Sequence, residues 1–134
     1  MSKRAEIKTR LNILKALAGL HLFEVKCEAS TIKELDKLAF KILTQAKRRA
    51  PIRTGALRAS GRVMPKGLKT RIIGFGGAGT GVNYAGTVEY GSATNRPQPY
   101  LRPAFFAVKK EYGKNLVRSY KNNWAIASRL GSSL

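Results

Sequence analysis

Between Ile32 and Ala46, apolar side chains return every third or fourth residue: Ile32, Leu35, Leu38, Ala39, Ile42, Leu43 and Ala46. That period predicts a helix with one buried face, because 3.6 residues complete a turn. Thr31-Ile32-Lys33-Glu34 reads as a capping box at its start, the Thr oxygen and the Glu carboxylate each taking an orphan amide. Lys47, Arg48 and Arg49 suit the negative end of the helix dipole, and Pro51 stops the helix just beyond them. A rod of roughly 28 Å with a single apolar stripe must be covered. The rest of the chain is therefore constrained to supply a partner face.

Several segments offer one. Residues 3–18 carry Ile7, Leu11, Leu14, Leu17 and Ala18 at helical spacing, with Gly19 as the stop. The opening Met1-Ser2-Lys3-Arg4-Ala5-Glu6 is basic but leads into this amphipathic pattern, not into a secretory apolar core. His21 to Cys27 alternates and reads either as a short strand or as an extended linker. Thr54 caps a short restarted helix through Arg58, which Leu57 anchors in the core. Gly61–Met64 and Thr70–Phe75 read as strands about a Pro65-Lys66-Gly67 turn, a hairpin. Five glycines fall between Gly74 and Gly81, a flexible loop or a close-packing segment. Tyr84–Tyr90 fits either a strand or a helical turn. Pro97, Pro99 and Pro103 keep residues 95–103 extended, and Tyr100-Leu101 then docks into the core or onto a neighbouring subunit.

From Pro103, a good first helical residue, Phe106, Val108, Tyr112, Leu116, Val117, Tyr120, Trp124 and Leu130 trace a long C-terminal helix. Gly113 and Asn122-Asn123 are the places where it could break. The expectation is one α+β domain over residues 1–134. A small, mainly antiparallel sheet packs against the helix of about 31–49 and the C-terminal helix of about 103–130. Residues 1–30 add an N-terminal helix and linker. A length of 134 residues fits a single core.

Charge narrows the function. Lys and Arg number 26 against 7 Asp and Glu, a formal net charge of +19. No acid falls between Lys37 and Val88. Nine basic residues of that stretch, Lys47, Arg48, Arg49, Arg53, Arg58, Arg62, Lys66, Lys69 and Arg71, are the candidates for contacts with DNA phosphates or an acidic partner. Glu89 stands alone among the acids from Lys37 to Lys110. Buried, it needs a partner, for which Arg53 or Arg58 would serve; otherwise it forms an ordinary surface ion pair.

The chemistry of catalysis finds little material. One His (His21), one Cys (Cys27) and one Asp (Asp36) cannot furnish a hydrolytic triad or a metal cluster at recognisable spacing. Lone Cys27 excludes an internal disulfide framework and suits a reducing compartment, where it acts as a small buried hydrophobe. Gly74-Phe75-Gly76-Gly77-Ala78-Gly79 matches G-x-G-x-x-G formally, but no amphipathic helix follows to receive a pyrophosphate. No catalytic residue, cofactor or metal ligand is assigned, and no apolar run approaches the length that spans a bilayer. Helix-turn-helix, zinc-finger and RNP patterns are also missing, so the charge does not point to base reading.

Three segments carry a resemblance. They are Ala50-Pro51-Ile52-Arg53-Thr54-Gly55-Ala56-Leu57, then Tyr84-Ala85-Gly86-Thr87-Val88-Glu89-Tyr90-Gly91, then Pro97-Gln98-Pro99-Tyr100-Leu101-Arg102-Pro103-Ala104. In this order the chain resembles the tail-completion, or head-to-tail joining, family of tailed bacteriophages, over about residues 31–120. The resemblance implies a non-enzymatic virion protein, made in the host cytoplasm and placed in the neck. It implies a homo-oligomeric ring, six-fold in preference to twelve-fold, around the channel that genomic DNA crosses, with non-specific DNA contacts. Its neighbours would be connector proteins on one side and tail-tube or terminator proteins on the other. Motif residues are Pro51, Thr54, Gly55, Leu57, Tyr84, Ala85, Glu89, Gly91, Pro97, Pro99, Tyr100, Leu101 and Pro103. Gly76, Gly77 and Gly79 are candidates for contacts between rings. A free basic nucleic-acid-binding protein, or a tail-terminator or head-closure protein, is the alternative.

Overall fold

A computed structural model of the chain describes residues 3–133, with side chains through residue 129. Met1, Ser2 and the Leu130 side chain, which the expectations above include, lie outside the described residues. In chain order the elements are α1 (Lys3–Arg49), α2 (Ala56–Ala59), β1 (Arg62–Pro65), β2 (Arg71–Gly74), α3 (Ala85–Tyr90) and α4 (Leu101–Ser133). No described helix is long and apolar enough to cross a membrane. The fold is mixed α+β, as the periodicities imply, and it divides into two compact units.

The unit of Ile32–Gly113 holds the larger core. The stripe on the second half of α1 buries Ala39, Ile42, Leu43 and Ala46. Ile42 and Ala46 meet Ala50, Leu57, Val82, Tyr100, Ala104 and Val108 in one cluster, with Ile73 and Phe75 packed against it. Each fully buried aliphatic side chain here contributes about 1.5–3 kcal/mol. β1 and β2 pair antiparallel with Val63 opposite Ile73 and Met64 opposite Ile72, the expected hairpin. Lys66 donates its amide to Thr70 O at 3.0 Å across the turn. Leu57 anchors α2, and Tyr100 docks into the core of its own unit.

The described residues of the second unit, Met1–Thr31 with Lys114–Leu134, are helical. Phe23 meets Trp124 edge-on, with centroids 5.3 Å apart. Buried Asn123 donates to Lys26 O at 3.2 Å and to Ser30 Oγ at 2.8 Å. The hydroxyls of Thr31 and Tyr120 are hydrogen-bonded at 2.6 Å.

Those contacts correct the N-terminal expectation. α1 runs unbroken through Gly19, through His21–Cys27 and through Thr31. Gly19 is no stop, because a glycine inside a helix costs only about 1 kcal/mol and tertiary contacts outweigh it. Residues 23, 26, 30 and 31 recur at helical spacing to meet α4, which overrides the short alternation read as strand or linker. Thr31 is not a cap either. Its Oγ1 donates back to Cys27 O at 2.8 Å, the bond of a mid-helix threonine, and Glu34 pairs with Lys37.

Two further boundaries move. α2 is capped by Gly55 in the left-handed region, while Thr54 Oγ1 only accepts a long 3.4 Å bond from the Ala56 amide. α4 begins at Leu101, which makes Pro103 its third residue and not its first. Neither Gly113 nor Asn122-Asn123 interrupts it.

Candidate functional site

The three motif segments come together in the Ile32–Gly113 unit, and Glu89 is their centre. Tyr84–Tyr90, ambiguous by pattern, is helical from Ala85. Glu89, on the inner face of α3, is only 4% exposed. Its Oε2 accepts from the amides of Tyr100 at 2.8 Å and Leu101 at 2.9 Å, and its Oε1 from the amide of Arg102 at 2.9 Å. An α-helix leaves its first four N–H groups without partners. For α4 these are Tyr100, Leu101, Arg102 and Pro103, of which Pro103 has no N–H. One carboxylate therefore closes the whole helix start, and its charge suits the positive dipole end.

The cation nearest Glu89 corrects another expectation. Neither Arg53 nor Arg58 pairs with it. Arg102 does, its Nε lying 3.4 Å from Oε1 and its guanidinium 4.8 Å over the Tyr90 ring. Burial by itself would push the Glu89 carboxyl up. The three amides and the Arg102 side chain outweigh it and hold the group below its ordinary value. Burial, with the Glu89 charge second, pushes the Tyr100 phenol up to about 12. That phenol donates to Ala85 O at 3.3 Å, and its ring meets Phe75 edge-on at 5.0 Å.

Gly91 makes the return possible. Its φ is +77°, and a Cβ there would lie 2.8 Å from Pro97 Cδ. No side chain fits between the end of α3 and the proline-rich segment. Gln98 then donates its amide to Val88 O at 2.8 Å, so the segment runs beside the helix that caps its continuation.

Arg58 has a different task. Its Nε donates to Ala50 O at 3.0 Å and its Nη2 to Arg48 O at 3.1 Å, closing carbonyls at the end of α1. Arg62 donates to Gly76 O at 2.9 Å, and Ser60 Oγ accepts from the Gly76 amide at 2.9 Å. Arg71 binds Asp36 and the turn carbonyls of Gly67, Leu68 and Thr70. Arg58, Arg62 and Arg71 are thus engaged within the fold. Lys47 is half-buried, while Arg48, Arg49, Arg53, Lys66 and Lys69 are exposed.

The glycine-rich loop is built for packing at one position. Gly76 is buried with φ +72°, and a Cβ there would sit 2.5 Å from Val82 O. Gly77 and Gly79 are exposed. Gly77 donates to Val82 O at 2.9 Å, and the following helix starts only at Ala85. That spacing is not the strand–loop–helix of a dinucleotide fingerprint.

Pattern reading missed Arg102 and Ser60. Tyr100 offers no capping oxygen of the Ser, Thr, Asp or Asn kind, and Glu89 supplies the acceptor from 11 residues away. Ser60 likewise carries no sequence signal, since its partner is a backbone amide 16 residues on.

A groove of about 780 Å³ runs between the first motif segment and the second and third. Its walls include Leu57 and Val88, the exposed Ile52 and Tyr84, and the exposed Arg53 and Arg96.

The model of the HK97-gp10-like family, described as "Bacteriophage HK97-gp10, putative tail-component", matches residues 23–91, just over half of the chain. No curated protein and no solved structure matches. The matched span ends at Gly91, so it contains Glu89 but not the helix start that Glu89 closes.

Proposed function

The chain belongs to the HK97-gp10-like family of phage tail components, and on that premise we propose that it forms a ring in the neck of a tailed phage. In this reading it is a structural protein that joins the DNA-filled head to the tail and lines the channel. The observation that carries the proposal is the division of its cations. Arg58, Arg62 and Arg71 hold the fold together, while Arg48, Arg49, Arg53 and Lys66 remain exposed. An exposed set of one sign, on a chain of net charge +19, repels itself and is favoured beside a polyanion.

The first half of α1 agrees with assembly. Ile7, Leu11, Leu14, Leu17 and Leu20 are each between 52% and 62% exposed, and they recur at helical spacing, the kind of apolar stripe that a partner surface covers. Passing DNA requires weak contacts through phosphates and not base reading. Titration with duplex DNA at two salt concentrations tests this. Binding that is weak, indifferent to sequence and lost on raising salt is expected. Tight stoichiometric binding at physiological salt would favour a free nucleic-acid-binding protein. Mass spectrometry of purified particles should find the chain in the mature virion; its absence there would sink the proposal.

A further inference from the structure

We propose that the 780 Å³ groove is a docking site for an extended segment of a different virion protein, apolar at its centre and flanked by carboxylates. The inference rests on the tail-component reading and names the chemistry of one neighbour.

The groove has the size of a ligand cleft and two kinds of wall. Ile52, Leu57, Tyr84 and Val88 supply apolar surface, and Ile52 is two-thirds exposed in the lone subunit. Arg53 lies among the lining residues 51–57, and Arg96 beside the lining residues Asn95 and Gln98. No carboxylate lines it. A planar guanidinium at each side matches carboxylates, which it can hold through paired hydrogen bonds. Unlike Arg58, Arg62 and Arg71, neither arginine is an anchor of the fold described above.

Two other occupants fit poorly. A DNA backbone would engage the arginines but leave its phosphates against Ile52, Leu57 and Val88, where charge is desolvated without compensation. Among its described residues, a second copy of this chain has no suitable segment. Its acids are Glu6, Glu24, Glu28, Glu34 and Asp36 in α1, Glu89 in α3 and Glu111 in α4, all within helices. None can be presented on an extended strand. Charge complementarity therefore selects a separate chain with Asp or Glu around an apolar residue.

The test places the photo-crosslinker p-benzoylphenylalanine at position 52 of the full chain in assembled particles, with position 68, exposed and outside the groove, as control. The expected result is an adduct from position 52 to one other virion protein, mapped to an acidic, non-helical segment. Combining the probe with R53E and R96E should lower its yield about tenfold. Arg53→Lys with Arg96→Lys, which keeps charge, should retain most of it. An adduct to a second copy or to DNA, a yield no higher than at position 68, or indifference to charge reversal would each overturn the docking site. If particles contain none of the chain, the tail-component reading itself fails, a result separable from the others.

Discussion

Glu89 closes the helix that Tyr100 opens: its Oε2 accepts the Tyr100 amide at 2.8 Å. It adds the two following amides with the same carboxylate. This ties the middle motif segment to the proline-rich one, and it explains chemically why a buried acid sits in so basic a chain. The carboxylate has three amides and a guanidinium to answer its burial cost.

Removing that carboxylate should loosen the Ile32–Gly113 unit. Glu89→Gln keeps one acceptor oxygen and should cost about 1–2 kcal/mol; Glu89→Ala leaves three buried amides open and should cost about 3–5 kcal/mol. Urea denaturation followed by circular dichroism reads both. Equal stability of Glu89→Ala and the parent would contradict the cap.

Acid should reproduce the loss. The folded Glu89 value lies below its ordinary 4.5, so its contribution is complete above that value and is lost as pH falls through the lower, folded one. The stability gap between parent and Glu89→Gln should be flat above about pH 5 and narrow below it. A gap that widens on acidification would contradict the assignment. Tyr100 has the opposite sign: its phenol is raised from 10.0 to about 12. Its contribution is complete below 10 and fades as pH rises toward 12, a loss that Tyr100→Phe should abolish.

The glycine loop should be intolerant at one position and tolerant at another. Gly76→Ala combines a positive φ with a Cβ 2.5 Å from Val82 O, whereas Gly79 has a positive φ and open space. The first should cost roughly 3 kcal/mol or more and the second about 1–2 kcal/mol. Thermal melting of the two variants gives the comparison.

Gly113 tests the continuity of α4. Nothing lies within 4 Å of a Cβ there, so Gly113→Ala in an unbroken helix should stabilise by about 1 kcal/mol. A loss of stability would mean that the helix turns at Gly113.

Much of the Ile32–Gly113 unit was legible because its signals are local. The stripe from Ile32 to Ala46, the stop before Pro51, the hairpin about Lys66-Gly67 and the buried Leu57 all follow from spacing and turn chemistry. What escaped depends on distant partners. Residues 19–31 look interrupted until Tyr120, Asn123 and Trp124, far along the chain, supply the helix with a neighbour. Glu89 escaped in part for a related reason: backbone amides leave no residue-type signature, and Arg102 entered view only once the chain had turned at Gly91. The basic residues looked alike by composition, and only the fold separates Arg58, Arg62 and Arg71 from the exposed Arg48, Arg49, Arg53 and Lys66.

Imaging of purified particles, with symmetry at the head–tail junction determined independently of the head and tail, decides whether this chain closes a ring there. A closed ring of this chain at the junction is expected, six-fold, with Arg48, Arg49, Arg53, Lys66 and Lys69 divided between the channel wall and acidic neighbours. Placement of the chain at the far end of the tail, or as isolated copies without ring closure, would contradict it.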